Sequence, residues 1–320
     1  MGKIQIDHTG SGAGITLSSD GTALLLDGAA IGGGGTALEL YAENPVSPTA
    51  PSAVGNNAVA IGMGTQSTGI NSVALGQSRA SGAGSFAAAI SNNTATYGAT
   101  GANSVAVGQL AKATGNYSTS LGRSNNVSGL NGAGAIGQGL TVSGEGAFAA
   151  GQTCIASGSY SQAIGLAANT ASIYGKFAKA NGFFSNYADA QTGIFVLRSD
   201  TTNATPEALT TDNSAAGATD QIILPNNSAH AFHGTIVARQ QASTGTASAA
   251  WKIEGLIRRE GSAGTTVLVS STTTVLDNTP AWGMALSADT TNGGLEIEVT
   301  GAAATNIRFV ATINTSEVTY

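Results

Sequence analysis

Hydrophobic and polar positions alternate along most of this chain, and between Asn57 and Gly165 they do so in one recurring phrase. It reads NAVAIG at Asn57–Gly62, NSVALG at Asn71–Gly76, NSVAVG at Asn103–Gly108, YSTSLG at Tyr117–Gly122 and YSQAIG at Tyr160–Gly165. In NSVAVG, Val105 and Val107 point one way while Ser104 and Ala106 point the other, which is the two-residue period of a strand. The glycine that ends each phrase permits a positive φ and a tight corner. Gly62 to Gly76, Gly108 to Gly122, Gly137 to Gly151 and Gly151 to Gly165 are each fourteen residues apart. A second strand-like run follows the phrase, as in Gln109–Thr114, and a second glycine closes it, at Gly69, Gly115, Gly129, Gly144 and Gly158. Two strands and two corners in fourteen residues make one flattened coil, and a fixed short period means stacked copies of it. The spacing predicts a parallel β-roll over residues 52–182, with eight or nine coils about 4.8 Å apart.

The breaks in register carry information too. Phe86-Ala87-Ala88-Ala89 reads as a coil whose closing glycine is alanine, and Ala89 to Gly108 is nineteen residues rather than fourteen. Gly122 to Gly137 is fifteen. Insertions in a solenoid leave as surface loops, so Asn92–Thr100 and Asn125–Asn131 are expected to protrude. Tyr174–Ala180 keeps the rhythm, after which Phe183, Phe184 and Tyr187 read as an aromatic layer closing the stack, within a neck at 183–220.

The two ends read differently. Lys3–Asp7, Gly14–Leu17 and Thr22–Leu26 are short strand patterns, the last two flanking an Asp-Gly turn. Gly32–Gly35 marks a hinge, and Asn44–Pro51 holds three of the six prolines, so residues 1–51 read as an N-terminal attachment module and linker. Over residues 221–320 six runs show strand character: Phe232–Gln240, Ala250–Glu260, Thr265–Leu276, Trp282–Asp289, Leu295–Thr300 and Ile307–Ile313. Alternation in Trp251–Gly255 and Leu295–Val299 predicts half-buried strands of an antiparallel β-sandwich or jelly-roll knob.

Composition sharpens this all-β reading. Glycine is 45 of 320 residues and charged residues are 9%, yet 42% of the chain is hydrophobic. That combination excludes a disordered polyelectrolyte, and glycines at sevens and fourteens exclude collagen. Between Val54 and Gly175 the only charges are Arg79, Lys112, Arg123 and Glu145. A coil of such small perimeter is expected to enclose no core of its own, so identical rolls should associate side by side. The net charge of −6 and the absence of any basic run make nucleic acid and anionic membrane poor partners, so neither is expected. No run of eighteen apolar residues occurs, so no membrane insertion is expected, and the N-terminus lacks the apolar stretch of a secretory signal.

Candidate chemistry is sparse. No GxSxG, HExxH, Walker A or EF-hand pattern is present. The glycine runs Gly10–Gly14 and Gly32–Gly35 precede no helix that could cradle phosphate. His230 and His233 are three apart in a strand and should face opposite ways, which disfavours one shared metal, although a three-fold axis could gather three copies of one histidine. His8 reads as a surface residue. Trp251 and Trp282 are core residues or sugar platforms, with core packing the usual fate. Glu254, Glu260, Glu296 and Glu298 could be paired for glycoside hydrolysis but have the alternating placement of solvated strand faces. Cys154 occupies the register of Ala111 and should be a buried, inert thiol. The sequons at Asn116 and Asn203 mean little in a chain so rich in these residues. No catalytic residue, cofactor or metal is therefore assigned.

The NSVA(I/L/V)G phrase, with its second strand and mid-repeat glycine, resembles the head repeats of trimeric autotransporter adhesins, the YadA-like heads. The likeness covers about a third of the chain. It implies a left-handed parallel β-roll assembled as a three-fold trimer. The chain as given shows no signal peptide, heptad stalk or membrane barrel of that family, while similar head repeats occur in bacteriophage fibre and spike proteins. Residues Asp189–Arg198 and the C-terminal region also resemble segments of phage structural proteins. The resemblance implies a non-enzymatic, homotrimeric virion fibre or spike for host attachment. It would be bound to other virion proteins through its N-terminal module and to a host surface glycan or protein at its far end. The alternatives are a bacterial trimeric adhesin fragment, a capsid or neck decoration fibre, and a polysaccharide depolymerase spike.

Overall fold

The computed structural model describes residues 49–241 and 247–320, together with the backbone of five short strands before them. Four of these, Ile4–Ile6, Ile15–Ser19, Leu24–Leu26 and Ala29–Ile31, form an antiparallel sheet in chain order, with Ser19 opposite Leu24. The fifth, Glu39–Leu40, pairs in parallel with Val59–Ile61. The hinge expected at Gly32–Gly35, His8, the Gly10–Gly14 run and most of the proline-rich linker lie outside the described residues.

The repeats form a parallel β-solenoid of about nine turns. One wall is built from the phrase strands, from Val59–Ile61 through Val105–Val107 to Phe177–Asn181. The other wall is an eight-stranded sheet of two-residue strands, from Ser52–Ala53 to Ile155–Ala156. Registry is strict: Val105 pairs with Thr119, Ala106 with Ser120 and Val107 with Leu121.

Each coil does enclose a core, contrary to the expectation from its perimeter, because the core is made of the smallest side chains. Ala60, Ala74, Ala87, Ala106, Ala135, Ala149, Ala163 and Ala178 are fully buried on one wall, and Ala80, Ala99, Ala113, Val127, Val142 and Ala156 on the other. Ser72, Ser104, Ser118 and Ser161 are buried beside them, and each hydroxyl is satisfied by the carbonyl three residues earlier, as Ser104 Oγ is by Gly101 O at 2.7 Å. The larger apolar residues of the phrase therefore face outward.

The two glycine columns share one constraint, since a Cβ on Gly108, Gly122, Gly137, Gly151 or Gly165 would also meet a carbonyl oxygen of the next coil, and only the strand-ending column adds a second. The strand-ending glycines carry the positive φ expected of them, for example 113° at both Gly108 and Gly122. The mid-repeat glycines have ordinary backbone angles, but a Cβ on Gly115 would collide with the carbonyl oxygen of Gly129 in the next coil, and the same holds along the column from Gly55 to Gly158. The column ends at Ile173, which has no coil beyond it and packs into the C-terminal core.

Both register breaks lie closer to the corners than expected. Gly98–Ala99 is a buried rung of the short-strand wall, so the first insertion is confined to Ser91–Tyr97, where Asn93 Nδ2 reaches back to the Gly64 carbonyl. Asn125 is buried inside the coil, donating to Leu121 O (2.7 Å) and Gly137 O (3.0 Å) and accepting from Leu140 N (3.0 Å). The extra residue bulges instead at Leu130–Gly132, where Asn131 and Gly132 both have positive φ.

The phrase-strand wall does not stop where the roll stops. Phe177–Asn181, the last parallel rung, pairs antiparallel with the twelve-residue strand Ala190–Thr201. That strand pairs along its whole length with Ile307–Thr319, followed by Ser228–Gln240, Ser248–Arg259 and Val267–Asp277. One fifteen-stranded sheet thus runs from the first coil to the far edge of the C-terminal domain. A smaller antiparallel sheet centred on Gly294–Thr300, with Gly283–Asp289 on one side and Pro206–Ala208 and Ile222–Ile223 on the other, covers its inner face. The core between them holds Phe195, Leu197, Ile236, Ile253, Ile297 and Ile313. Trp251 stacks on Phe309 at 6.4 Å and Trp282 meets the same ring edge-on at 6.1 Å. All six strands expected in this region are present; the added Ala190–Thr201 strand came from the stretch read as a neck.

The two constraints make opposite predictions. Gly115→Ala should lower stability by about 3 kcal/mol through overpacking. Ala89→Gly, at a closing position held at φ 55°, should raise it by about 1 kcal/mol. Urea unfolding midpoints of the two variants, shifted in opposite directions from the parent, check both.

Candidate functional site

The residues singled out from sequence do not converge. His230 is fully buried and His233 exposed on the opposite sheet face, as their spacing required. Trp251 and Trp282 are core residues and offer no surface for a sugar ring. Glu254 lies on the outer face of the large sheet beside Lys252 (3.5 Å), and Glu260 just past the end of the same strand beside Arg258 (3.9 Å). Glu296 and Glu298 line the outer face of the small sheet, where Ser287 Oγ donates to Glu296 at 2.8 Å. The two pairs are thus on opposite sides of the sandwich. Cys154 is buried, and burial pushes its thiol up, against backbone hydrogen bonds that oppose the shift. Asn116 and Asn203 are exposed. Among the described residues no group of three His, Cys, Asp or Glu is placed to hold a metal ion.

The aromatic layer expected to close the stack does not close it. Phe183, Phe184 and Tyr187 are 43%, 78% and 54% exposed, on the turn joining Phe177–Asn181 to Ala190–Thr201. The turn is held from beneath. The Asp189 carboxylate accepts from the backbone N–H groups of Phe184 (2.8 Å), Ser185 (2.7 Å) and Asn186 (2.8 Å), and Phe183 meets Tyr187 edge-on at 5.0 Å. The last coil is closed by the C-terminal strands themselves.

At that closure lies a polar cluster with no counterpart elsewhere in the roll. Lys176 stands in the register of the buried serines, fifteen residues after Ser161, and its side chain enters the interior under the last coil. There Lys176 Nζ meets Glu317 Oε2 at 2.8 Å, both side chains 2% exposed, with the ammonium 5.3 Å from the centre of the Phe195 ring. Glu317 Oε2 also accepts from Gln191 Nε2 (2.7 Å), and its Oε1 from Thr315 Oγ1 (2.7 Å). Gln191 is clamped in turn to Asn169 of the short-strand wall: its Oε1 accepts from Asn169 N (2.9 Å) and its Nε2 donates to Asn169 O (3.0 Å). His230 pairs with Glu317 across adjacent strands, and neither ring nitrogen has a hydrogen-bond partner. The cluster ties the last coil and both walls to two strands of the C-terminal domain, Ala190–Thr201 and Ile307–Thr319. Sequence reading missed it because Lys176 and Glu317 are 141 residues apart; the one available signal was a lysine where the phrase otherwise carries serine or alanine.

Burial sets the electrostatics. It holds the His230 imidazole down to about 4, with Glu317 pulling it up and Lys176 pushing it further down. Burial acts to raise Glu317, but the Lys176 ammonium and the hydrogen bonds outweigh it and leave the carboxyl below its ordinary range. The unfolded chain takes up a proton on this histidine below about pH 6.5 that the folded chain refuses until about 4. Stability is therefore full above 6.5 and falls as pH drops through that window, by up to about 1.4 kcal/mol per pH unit. His230→Phe should flatten this slope in urea unfolding at pH 7, 5.5 and 4. At pH 7, Glu317→Gln, which leaves the lysine buried and unpaired, should cost about 3–5 kcal/mol.

Comparison with known proteins bears on the roll. A family model, the YadA head domain repeat, matches twice, at residues 53–78 and 99–125. The gap between the two copies holds the coil interrupted at Ser91–Tyr97. No curated protein matches the chain. Among solved structures, the tailspike protein of Acinetobacter phage vB_ApiP_P1 matches at 8% identity over 80% of this chain and 50% of that one, with a TM-score of 0.18. The chain spans half the length of that tailspike, and similarity at this level carries neither fold nor function. What the family model and the coil geometry agree on is that the roll of this protein contains YadA-type head repeats.

Proposed function

We propose that the chain is a homotrimeric fibre or spike of a bacteriophage virion, whose roll is a rigid spacer and whose C-terminal domain presents a host-binding surface. The observation that carries the reading is the asymmetry of the roll's two outer faces. The phrase-strand wall turns Val59, Val73, Phe86, Val105, Leu121 and Ile164 outward, half-buried in the single chain, and among the described residues Arg123 is its one charge before Lys179. The short-strand wall turns Gln66, Arg79, Lys112, Asn126 and Thr141 outward. A largely apolar stripe, interrupted at Thr119, Arg123 and Gln162, calls for a partner, and identical stripes around a three-fold axis supply it. Three C-terminal domains brought together then multiply weak contacts with a surface glycan or protein by effective concentration. The role is binding rather than turnover, with attachment to other virion proteins through the N-terminal region.

The YadA head repeats favour a second reading, a fragment of a bacterial trimeric adhesin. The two differ in location, and antibody labelling of purified virions against the bacterial surface separates them.

Assembly is the direct test. Light scattering in native buffer should give three times 31.3 kDa, and a value of 31.3 kDa would sink the proposal. The double variant Val105→Lys, Leu121→Lys alters only outward positions. It should shift the species towards the single-chain mass while leaving the β-sheet circular dichroism in place.

A further inference from the structure

We propose that Lys176 and Gln191 become joined by an intramolecular amide bond, formed by the folded chain itself with Glu317 as the proton carrier. The reading rests on how three side chains meet, Lys176 and Glu317 buried and Gln191 half-buried at the edge of the site. Lys176 Nζ and Gln191 Nε2 both hydrogen-bond to one oxygen, Glu317 Oε2, at 2.8 and 2.7 Å, so the amine stands beside the carboxamide across a single atom. The Gln191 carbonyl is already polarised, because its Oε1 accepts the backbone N–H of Asn169 at 2.9 Å. Thr315 Oγ1 fixes the other carboxylate oxygen at 2.7 Å. Nucleophile, electrophile, proton carrier and oxyanion donor are thus supplied by four separate segments, each held by the fold.

The step balances without a co-reactant. A proton moves from Lys176 Nζ to Glu317 Oε2, which neutralises both partners, a change that burial favours and that the ion pair and the hydrogen bonds to the carboxylate oppose. The free amine attacks Gln191 Cδ, and the negative charge gathers on Oε1 facing the Asn169 N–H. Glu317 delivers the proton from Oε2 to Gln191 Nε2, the Cδ–Nε2 bond breaks, and ammonia leaves. The second amine proton returns to the carboxylate. One C–N bond forms, one breaks, and nothing is oxidised or reduced.

The bond would close a ring around the exposed Phe183–Tyr187 turn and fix the root of the strand Ala190–Thr201 to the last coil. Strand pairing changes there from parallel to antiparallel, with Ala178 opposite Gly193, so pull on the C-terminal domain falls on few backbone hydrogen bonds. A covalent bridge would carry that load in their place.

Intact-mass spectrometry of the folded full-length chain tests the proposal. The expected result is a mass about 17 Da below the sequence value, the loss of one ammonia, with fragmentation placing the deficit in a branched peptide that joins the segments around Lys176 and Gln191. Lys176→Arg and Glu317→Gln should both keep the full mass. Because the unaltered chain decides the outcome, a variant that fails to fold does not obscure it. A full sequence mass after prolonged incubation at neutral pH overturns the proposal. So does a deficit of about 17 Da that maps to a succinimide at Asn131, Asn181 or Asn292, each followed by glycine, or one of about 18 Da joining Lys176 to Glu317.

Discussion

The spacing between one coil and the next governs this protein. Successive corners approach so closely that the mid-repeat position admits no side chain at all, and the space within each coil is filled mainly by alanine and serine, with Ile90, Val127, Leu140 and Val142 the larger exceptions. A chain that fills its interior with such small groups buries little apolar area per residue. Its cohesion comes from parallel hydrogen-bond ladders and from the serine hydroxyls that satisfy corner carbonyls. The bulky residues of the phrase, displaced from the inside, form the outer stripe. Narrow coils and an apolar exterior are two results of one geometric limit.

The C-terminal domain obeys a different rule. Its core is a conventional sandwich interior of large aliphatic and aromatic residues, with the two tryptophans and Phe309 at its centre. The two regimes meet where Ile173 takes the place of a corner glycine and Lys176 that of an inward serine. Large residues enter the column only where the stack ends. Desolvating a lysine and a glutamate there costs more than an apolar pair of like size, so the pair is better understood as fixing a single way to dock than as adding net stability.

Much of this was legible in the sequence. A strict fourteen-residue phase exposed the coils, and clean alternation exposed the six C-terminal strands, because both are local patterns set by backbone period. The phrase alone did not say which of its faces was inside. Val105 and Val107 are the more hydrophobic pair, and only the coil's small cross-section sends Ala106 inward instead. The loops were placed too broadly because an insertion shifts numbering before it shifts structure, so Asn125 and Gly98 looked displaced while remaining in register. The aromatic run Phe183–Tyr187 was misjudged because closure was already supplied by strands up to 141 residues away, which no local window reaches.

The two walls of the roll end at different heights. The short-strand wall finishes at Ile155–Ala156, with one further bridge to Asn169, while the phrase-strand wall continues as an unbroken sheet into the C-terminal domain. Below the junction the shaft behaves as a box section, stiff in every direction. At the junction itself the phrase-strand sheet alone is continuous, before the small sheet centred on Gly294–Thr300 backs it again. The Gln191–Asn169 clamp and the Lys176–Glu317 pair sit on the side where the second wall is missing. They act as a brace that sets the angle at which the terminal domain is carried.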